Sequence, residues 1–171
     1  MSSNSDRPDP ARVLSPEDRA FLARAVALSR EHMQAGEGGP FGAVIVRDGE
    51  VLAEGWNQVT STNDPTAHAE VVAIRRACQA VDDFALSGAT LYTSCEPCPM
   101  CLAAAYWARV SRIVFANTRE DAAAIGFDDR LLYDEIPKPV GERLIPTLHA
   151  PNPEAEVVFA AWMRKPDKVP Y

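Results

Sequence analysis

An imidazole at His68, a carboxylate at Glu70 and thiols at Cys98 and Cys101 follow the pattern His-x-Glu, a gap of 26 residues, then Pro-Cys-x-x-Cys. Imidazole and thiolate are donors that zinc prefers, and a tetrahedral Zn2+ held by His68 and the two thiolates keeps its fourth position open to water. Zinc draws the pKa of that water toward neutrality and so supplies hydroxide where hydroxide is scarce. Glu70, two residues past the histidine, is placed to take the proton and to return it. A two-residue cysteine spacing is common by itself, whereas the full arrangement is not.

Each of these residues also has a plainer reading. His32 and His149 compete with His68 as ligand, but neither carries the same company of Glu70 and the cysteine pair. Cys78 and Cys95 read as small apolar residues. A structural site of four cysteines would leave His68 and Glu70 unexplained. Glu70 alone would pass for a carboxylate that stabilises the first turn of a helix. Phe41, Trp56, Trp107 and the terminal Tyr171 are candidates for a pocket wall, although most aromatic side chains belong to cores. Asn57 ends a predicted strand, where its amide can read the edge of a ring or simply make a turn. Phe127-Asp128-Asp129 lies in a stretch, 119–135, that holds six acidic residues against two arginines, and a solvated face would look the same. A second carboxylate near a pocket would help a reaction that must protonate both a ring nitrogen and a departing amine.

Helices and strands must position these groups. Residues 1–14 are rich in serine, aspartate and proline and read as a flexible lead-in. Ser15 offers an N-cap, Pro16 fits the first helical position, and Asp18 fits a capping box; the apolar period then predicts a helix to near Gly36. Ala43 to Val46 and Val51 to Ala53 flank the turn Arg47-Asp48-Gly49-Glu50, a hairpin signature. Thr66 is expected to cap a helix carrying His68 and Glu70. Further strands are expected at Ala89 to Thr93, Arg112 to Ala116 and Arg143 to Leu148, which brings the sheet to about five. Pro99 opens a helix through Trp107, a short helix runs from Glu120 to Ile125, and Glu154 to Arg164 closes the chain. Alternating helices and strands predict an α/β protein, a three-layer α/β/α sandwich around a mixed sheet, with residues 15–171 as one domain. Both ligand-bearing pieces fall at helix starts, where free N–H groups favour thiolates and hydroxide.

With 171 residues, 47% of them apolar and 24% charged, the chain has the material for one domain with a sizeable core. Its formal charge of -7 repels phosphates and argues against a general nucleic-acid binder. No apolar run is long enough for a membrane span and no signal-peptide core opens the chain. A Cys-x-x-Cys pair beside a histidine reads as metal ligation in a reducing compartment, and the expected location is cytoplasmic.

Three strings together resemble the cytidine deaminase superfamily: Gly38-Gly39-Pro40-Phe41-Gly42-Ala43, Asn63-Asp64-Pro65-Thr66-Ala67-His68-Ala69-Glu70, and Thr93-Ser94-Cys95-Glu96-Pro97-Cys98-Pro99-Met100-Cys101. Tyr106-Trp107-Ala108-Arg109, Ile125-Gly126-Phe127-Asp128-Asp129 and the terminal tyrosine resemble the bacterial guanine deaminases within it. The resemblance implies Zn2+ on His68, Cys98 and Cys101, with Glu70 as proton carrier. It implies a purine base held by Asn57 and lying against His68, in a pocket lined by Phe41, Trp107 and Tyr171. Asp129, or its neighbour Asp128, would assist the departing amine. The implied reaction is hydrolysis of guanine to xanthine and ammonia. The implied assembly is a homodimer that exchanges its C-terminal segment, about residues 150–171. Deaminases of transfer-RNA adenosine share the zinc pattern but carry a more basic surface and a different stretch where Phe127-Asp128-Asp129 stands here. A deaminase of another small base or nucleoside, and a zinc-stabilised interaction module without turnover, are the competing readings.

Overall fold

Residues 13–170 are described by a computed structural model. The expected lead-in lies outside the described residues except for Val13 and Leu14, and so does Tyr171. Ser15 caps the first helix, α1 (Pro16–Gln34), and forms the expected capping box: its Oγ accepts from the Asp18 N–H while Asp18 accepts from the Ser15 N–H. Strands β1 (Gly42–Arg47) and β2 (Glu50–Trp56) form the hairpin. A bulge at Leu52 shifts their register, since Ile45 faces Ala53 while Val46 faces Val51.

A short helix, α2 (Val59–Thr62), leads to α3 (Ala69–Val81). Then come β3 (Thr90–Cys95), α4 (Pro99–Trp107), β4 (Arg112–Asn117) and α5 (Arg119–Ala124). The sheet order is β2-β1-β3-β4; β1 runs antiparallel to β2 and β3, and β3 runs parallel to β4. Three strands therefore share one direction, and the ends of β2, β3 and β4 meet the start of β1 at a single edge. Phe41, Asn57 and Cys98 all lie at or just beyond that edge, where ligands of open α/β sheets bind.

Alternation along the strands builds the layers. Val44, Val46, Tyr92 and Val114 pack under Ala25 and Leu28 of α1. Ala43, Ile45 and Leu91 point the other way, against Ala69, Ala73 and Ala77 of α3 and Ala105 of α4. Leu28, Ile45 and Leu91 are almost wholly buried, each worth about 1.5–3 kcal/mol relative to exposure. Alanines on α3 let that helix sit close to the sheet, and Gly55 lets it sit closer. A Cβ at Gly55 would lie 2.3 Å from the Ala69 carbonyl oxygen and 2.5 Å from the Ala73 nitrogen. The result is the expected three-layer α/β/α sandwich with a mixed sheet.

Two expectations are corrected. The sheet has four strands among the described residues, because 143–148 forms no strand. Arg143 bonds back to the carbonyls of Lys138 and Ile136, and the Leu144 N–H donates to Glu135. Pro146 lacks a donor for a ladder. The cap of α3 is His68 rather than Thr66. Thr66 instead gives both its N–H and its hydroxyl to Asp64, closing the turn before the helix.

Residues through Asp129 form one compact unit, and Arg130 onward forms a second. The second holds α6 (Arg130–Glu135), a single 3-10 turn (Val140–Glu142) and α7 (Pro153–Arg164). Asn152 caps α7 by accepting from the Glu154 N–H, and Pro153 opens it.

Candidate active site

Two helix N-termini converge at the sheet edge, each with a side chain in the cap position. His68 is the N-cap of α3 and Cys98 that of α4, both with extended backbones. Neither side chain accepts from its own helix, so each forgoes the bond that serine or aspartate would make there. They turn instead toward each other and toward Cys101, in the first turn of α4. His68 Nδ1 lies 3.6 Å from Cys98 Sγ and 3.5 Å from Cys101 Sγ, and the sulfurs are 3.6 Å apart.

Those three separations test the fit to zinc. A tetrahedron with ordinary zinc–sulfur and zinc–nitrogen bonds has edges of about 3.8 Å between sulfurs and about 3.6 Å from nitrogen to sulfur. The cluster matches these edges within about 0.2 Å. His68, Cys98 and Cys101 form a zinc-binding site. Cys78 and Cys95 stand outside it: Cys95 is buried with its thiol directed at the Thr118 carbonyl, and Cys78 packs beside the core.

Glu70 follows in the first turn of α3 and is only 6% exposed. Its Oε2 is 3.5 Å from Cys101 Sγ, so the carboxyl faces the ligand cluster. Burial pushes its pKa up, with the Cys98 charge adding to the shift. Contact with Cys101 holds the Cys98 thiol down at about 4 against the cost of burial, and His68 assists. Cys98 in turn raises His68, while Cys101 is driven far up by its contact with Cys98 and by burial.

Around this cluster the structure places the other expected residues unevenly. Asn57 is buried, and its Oδ1 accepts from the Gly39 and Val59 N–H groups at 3.2 and 3.3 Å. The carbonyl end of the Asn57 amide is thereby held by the chain on either side of it. Phe41 meets Phe127 edge to face, with ring centroids 4.9 Å apart. Phe127 was visible in the sequence only as the neighbour of two aspartates. Asp129 is half-buried while Asp128 is exposed. Burial, and then the Cys98 charge, raise the Asp129 pKa. Trp107, at the end of α4, is 66% exposed. Trp56 is no wall of this pocket: it stacks on His32 and lies beneath Arg76. No residue pattern in the sequence pointed to that stack.

Residues 15–117 match the cytidine and deoxycytidylate deaminase zinc-binding region. The chain belongs to that family. Among relatives of this deaminase, the guanine deaminase of Bacillus subtilis (strain 168) is 54% identical over 151 residues, covering 88% of this chain and 97% of the other. The X-ray structure of guanine deaminase from Bacillus subtilis superposes with a TM-score of 0.87 at 53% identity, covering 90% of this chain and 98% of that one. A tRNA-specific adenosine deaminase of Haemophilus influenzae is 38% identical over 127 residues, 71% of this chain and 73% of its own length. The stronger likeness extends past the shared zinc region into the C-terminal unit.

Proposed function

We propose that this deaminase hydrolyses guanine to xanthine and ammonia. The observation that carries the reading is a buried carboxyl, Glu70, set 3.5 Å from a ligand sulfur of a zinc-binding triad. A guanine deaminase similar over nearly the whole chain supports guanine as the base.

Zinc, when bound, supplies the Lewis acidity that lets water act as a nucleophile near neutral pH. Glu70 takes the proton that water gives up as its oxygen bonds to C2. Its buried setting, which favours the protonated form, suits it to hold that proton and pass it to the ring nitrogen. Asp129 serves the amine: as the C2–N bond breaks and the C2 hydroxyl becomes a carbonyl, the proton that hydroxyl gives up passes through Asp129 to the nitrogen, and ammonia departs. Asn57 donates its NH2 to the purine edge, Phe41 lines the pocket with Phe127 against it, and the His68 imidazole lies against the ring. A site built around polar groups that must be paired rejects bases that cannot pair them.

Trp107 and Tyr171 complete the pocket in a homodimer that exchanges its C-terminal segment. In support, α7 leaves Val157, Val158, Phe159 and Met163 more than half exposed, apolar side chains that call for cover. The single domain of the sequence reading then includes the exchanged segment. Cytoplasmic location is supported by four cysteines free of disulfides. Among the described residues no helix is long and apolar enough to cross a membrane.

An ammonia assay of zinc-loaded protein across guanine, adenine, cytosine and their nucleosides tests the substrate. Release from guanine in preference to the others is expected. Release only from adenine, cytosine or a nucleoside removes guanine, and release from none of them removes the enzyme reading.

A further inference from the structure

Behind Asn57, away from the zinc-binding triad, lies an aromatic stack that the reaction described above does not use. His32, in the last turn of α1, lies flat on Trp56 with centroids 3.6 Å apart and ring planes 1° from parallel. The Arg76 guanidinium lies over the same indole at 4.4 Å. Trp56 Nε1 is buried and donates to no group among the described residues. The indole is therefore oriented by what packs on its rings rather than by a hydrogen bond, and His32 makes the closest of those contacts.

His32 also holds the chain that follows α1. Its carbonyl accepts from the Glu37 N–H at 3.0 Å, and its Nδ1 pairs with the Glu37 carboxylate at 2.9 Å. Glu37 is followed at once by Gly38, which lies so near Asn57 that a Cβ there would be 1.9 Å from the Asn57 carbonyl oxygen. Gly39 then donates to Asn57 Oδ1, and the Phe41 carbonyl accepts from the Asn57 N–H at 3.1 Å. Asn57 is thus bracketed: its chain neighbour Trp56 rests on His32, and the loop bonded to its amide is tied to His32 through Glu37.

We infer that His32 is a positioning residue for substrate recognition, its ring stacked on Trp56 and paired with Glu37 so as to fix the Asn57 amide that reads the base. The inference rests on the proposed role of Asn57. It places His32 on the recognition side of the pocket, since its ring and the 36–41 loop bear on Asn57 while the zinc ligands stand at the starts of α3 and α4. A side chain that only orients the reader acts on ground state and transition state alike, so its loss raises KM and spares kcat.

Steady-state kinetics of the full chain, with zinc content and Tm, test this in His32→Ala, His32→Phe and Glu37→Gln. His32→Ala is expected to raise KM about tenfold, with kcat within about twofold of wild type and zinc unchanged. His32→Phe keeps a flat ring on Trp56 and is expected to recover part of the loss. Glu37→Gln is expected to raise KM less than His32→Ala. An unchanged KM in His32→Ala overturns the inference, and so does a joint loss of kcat and zinc, which would mark a collapsed site. Should His32→Ala fail to fold, the same split between KM and kcat in the other two variants decides. If wild type spares guanine but deaminates another base, the functional reading fails separately, and the KM ratio on that base still judges His32.

Discussion

Glu70 is a carboxyl that folding places where carboxylates are costly, and its proximity to Cys101 gives that placement a chemical use. Asp18 shows the contrasting case of a buried acid kept ionised. The Arg112 guanidinium, 2.6 Å away, holds its pKa well below the ordinary carboxylate range; burial opposes this, and the Tyr92 hydroxyl, donating at 2.6 Å, assists. Burial, and then the same contact, push Tyr92 up to about 12, so the hydroxyl remains a donor at any ordinary pH. A carboxylate with a lowered folded pKa stabilises the fold above its unfolded pKa of about 3.9, and that stability is lost as pH falls below it toward the folded value. Denaturation by urea at pH 6 and pH 3 should therefore show a drop in wild type. In Asp18→Asn stability should fall by about 1–3 kcal/mol at pH 6, and the difference from wild type should shrink at pH 3. A constant difference across that range would show that the ionised form is not what matters.

At the scale of elements, the site is two helix starts brought to one sheet edge, and close packing sets the meeting. Gly55 is where β2 touches the first turn of α3, the turn that bears Glu70 behind the capping His68. Gly55→Ala is expected to push α3 outward, costing about 1–3 kcal/mol by overpacking, and to weaken zinc binding more than a cavity mutation of equal cost elsewhere. Metal titration against Ala25→Gly checks this; equal zinc affinity in the two variants would sever the link. Most of this arrangement was legible in the sequence. The capping box at Ser15, the hairpin, Pro99 at a helix start and the His-x-Glu and Cys-x-x-Cys spacings are local signals, and local signals survive folding. The α3 cap was misplaced because Thr66 is the usual kind of cap residue, whereas His68 occupies the position for the sake of the cluster. The absent fifth strand had apolar residues but no neighbour to pair with, and pairing is a property of the fold. The stack of His32 on Trp56 joins residues on different elements, which no spacing announces.

For the molecule as a whole, a net charge of -7 agrees with a small substrate rather than a nucleic acid, and the exposed apolar residues of α7 support the proposed dimer. Removing residues 165–171 is expected to leave zinc content intact while activity falls at least tenfold, since Tyr171 is lost from the proposed pocket. Phe159→Asp with Val158→Asp is expected to shift the protein from dimer to monomer in light scattering. Full turnover by the truncated protein would take Tyr171 out of the site, and an unshifted mass would take α7 out of the interface. The central claim joins a metal, a carboxyl and a base, and product analysis at equal zinc loading tests all three together. Wild-type protein should convert guanine to xanthine with one ammonia per turnover. Glu70→Gln, carrying the same zinc, should be slower by about 10²-fold or more. Xanthine formed at the wild-type rate by zinc-loaded Glu70→Gln, or none formed by zinc-loaded wild type, would contradict it.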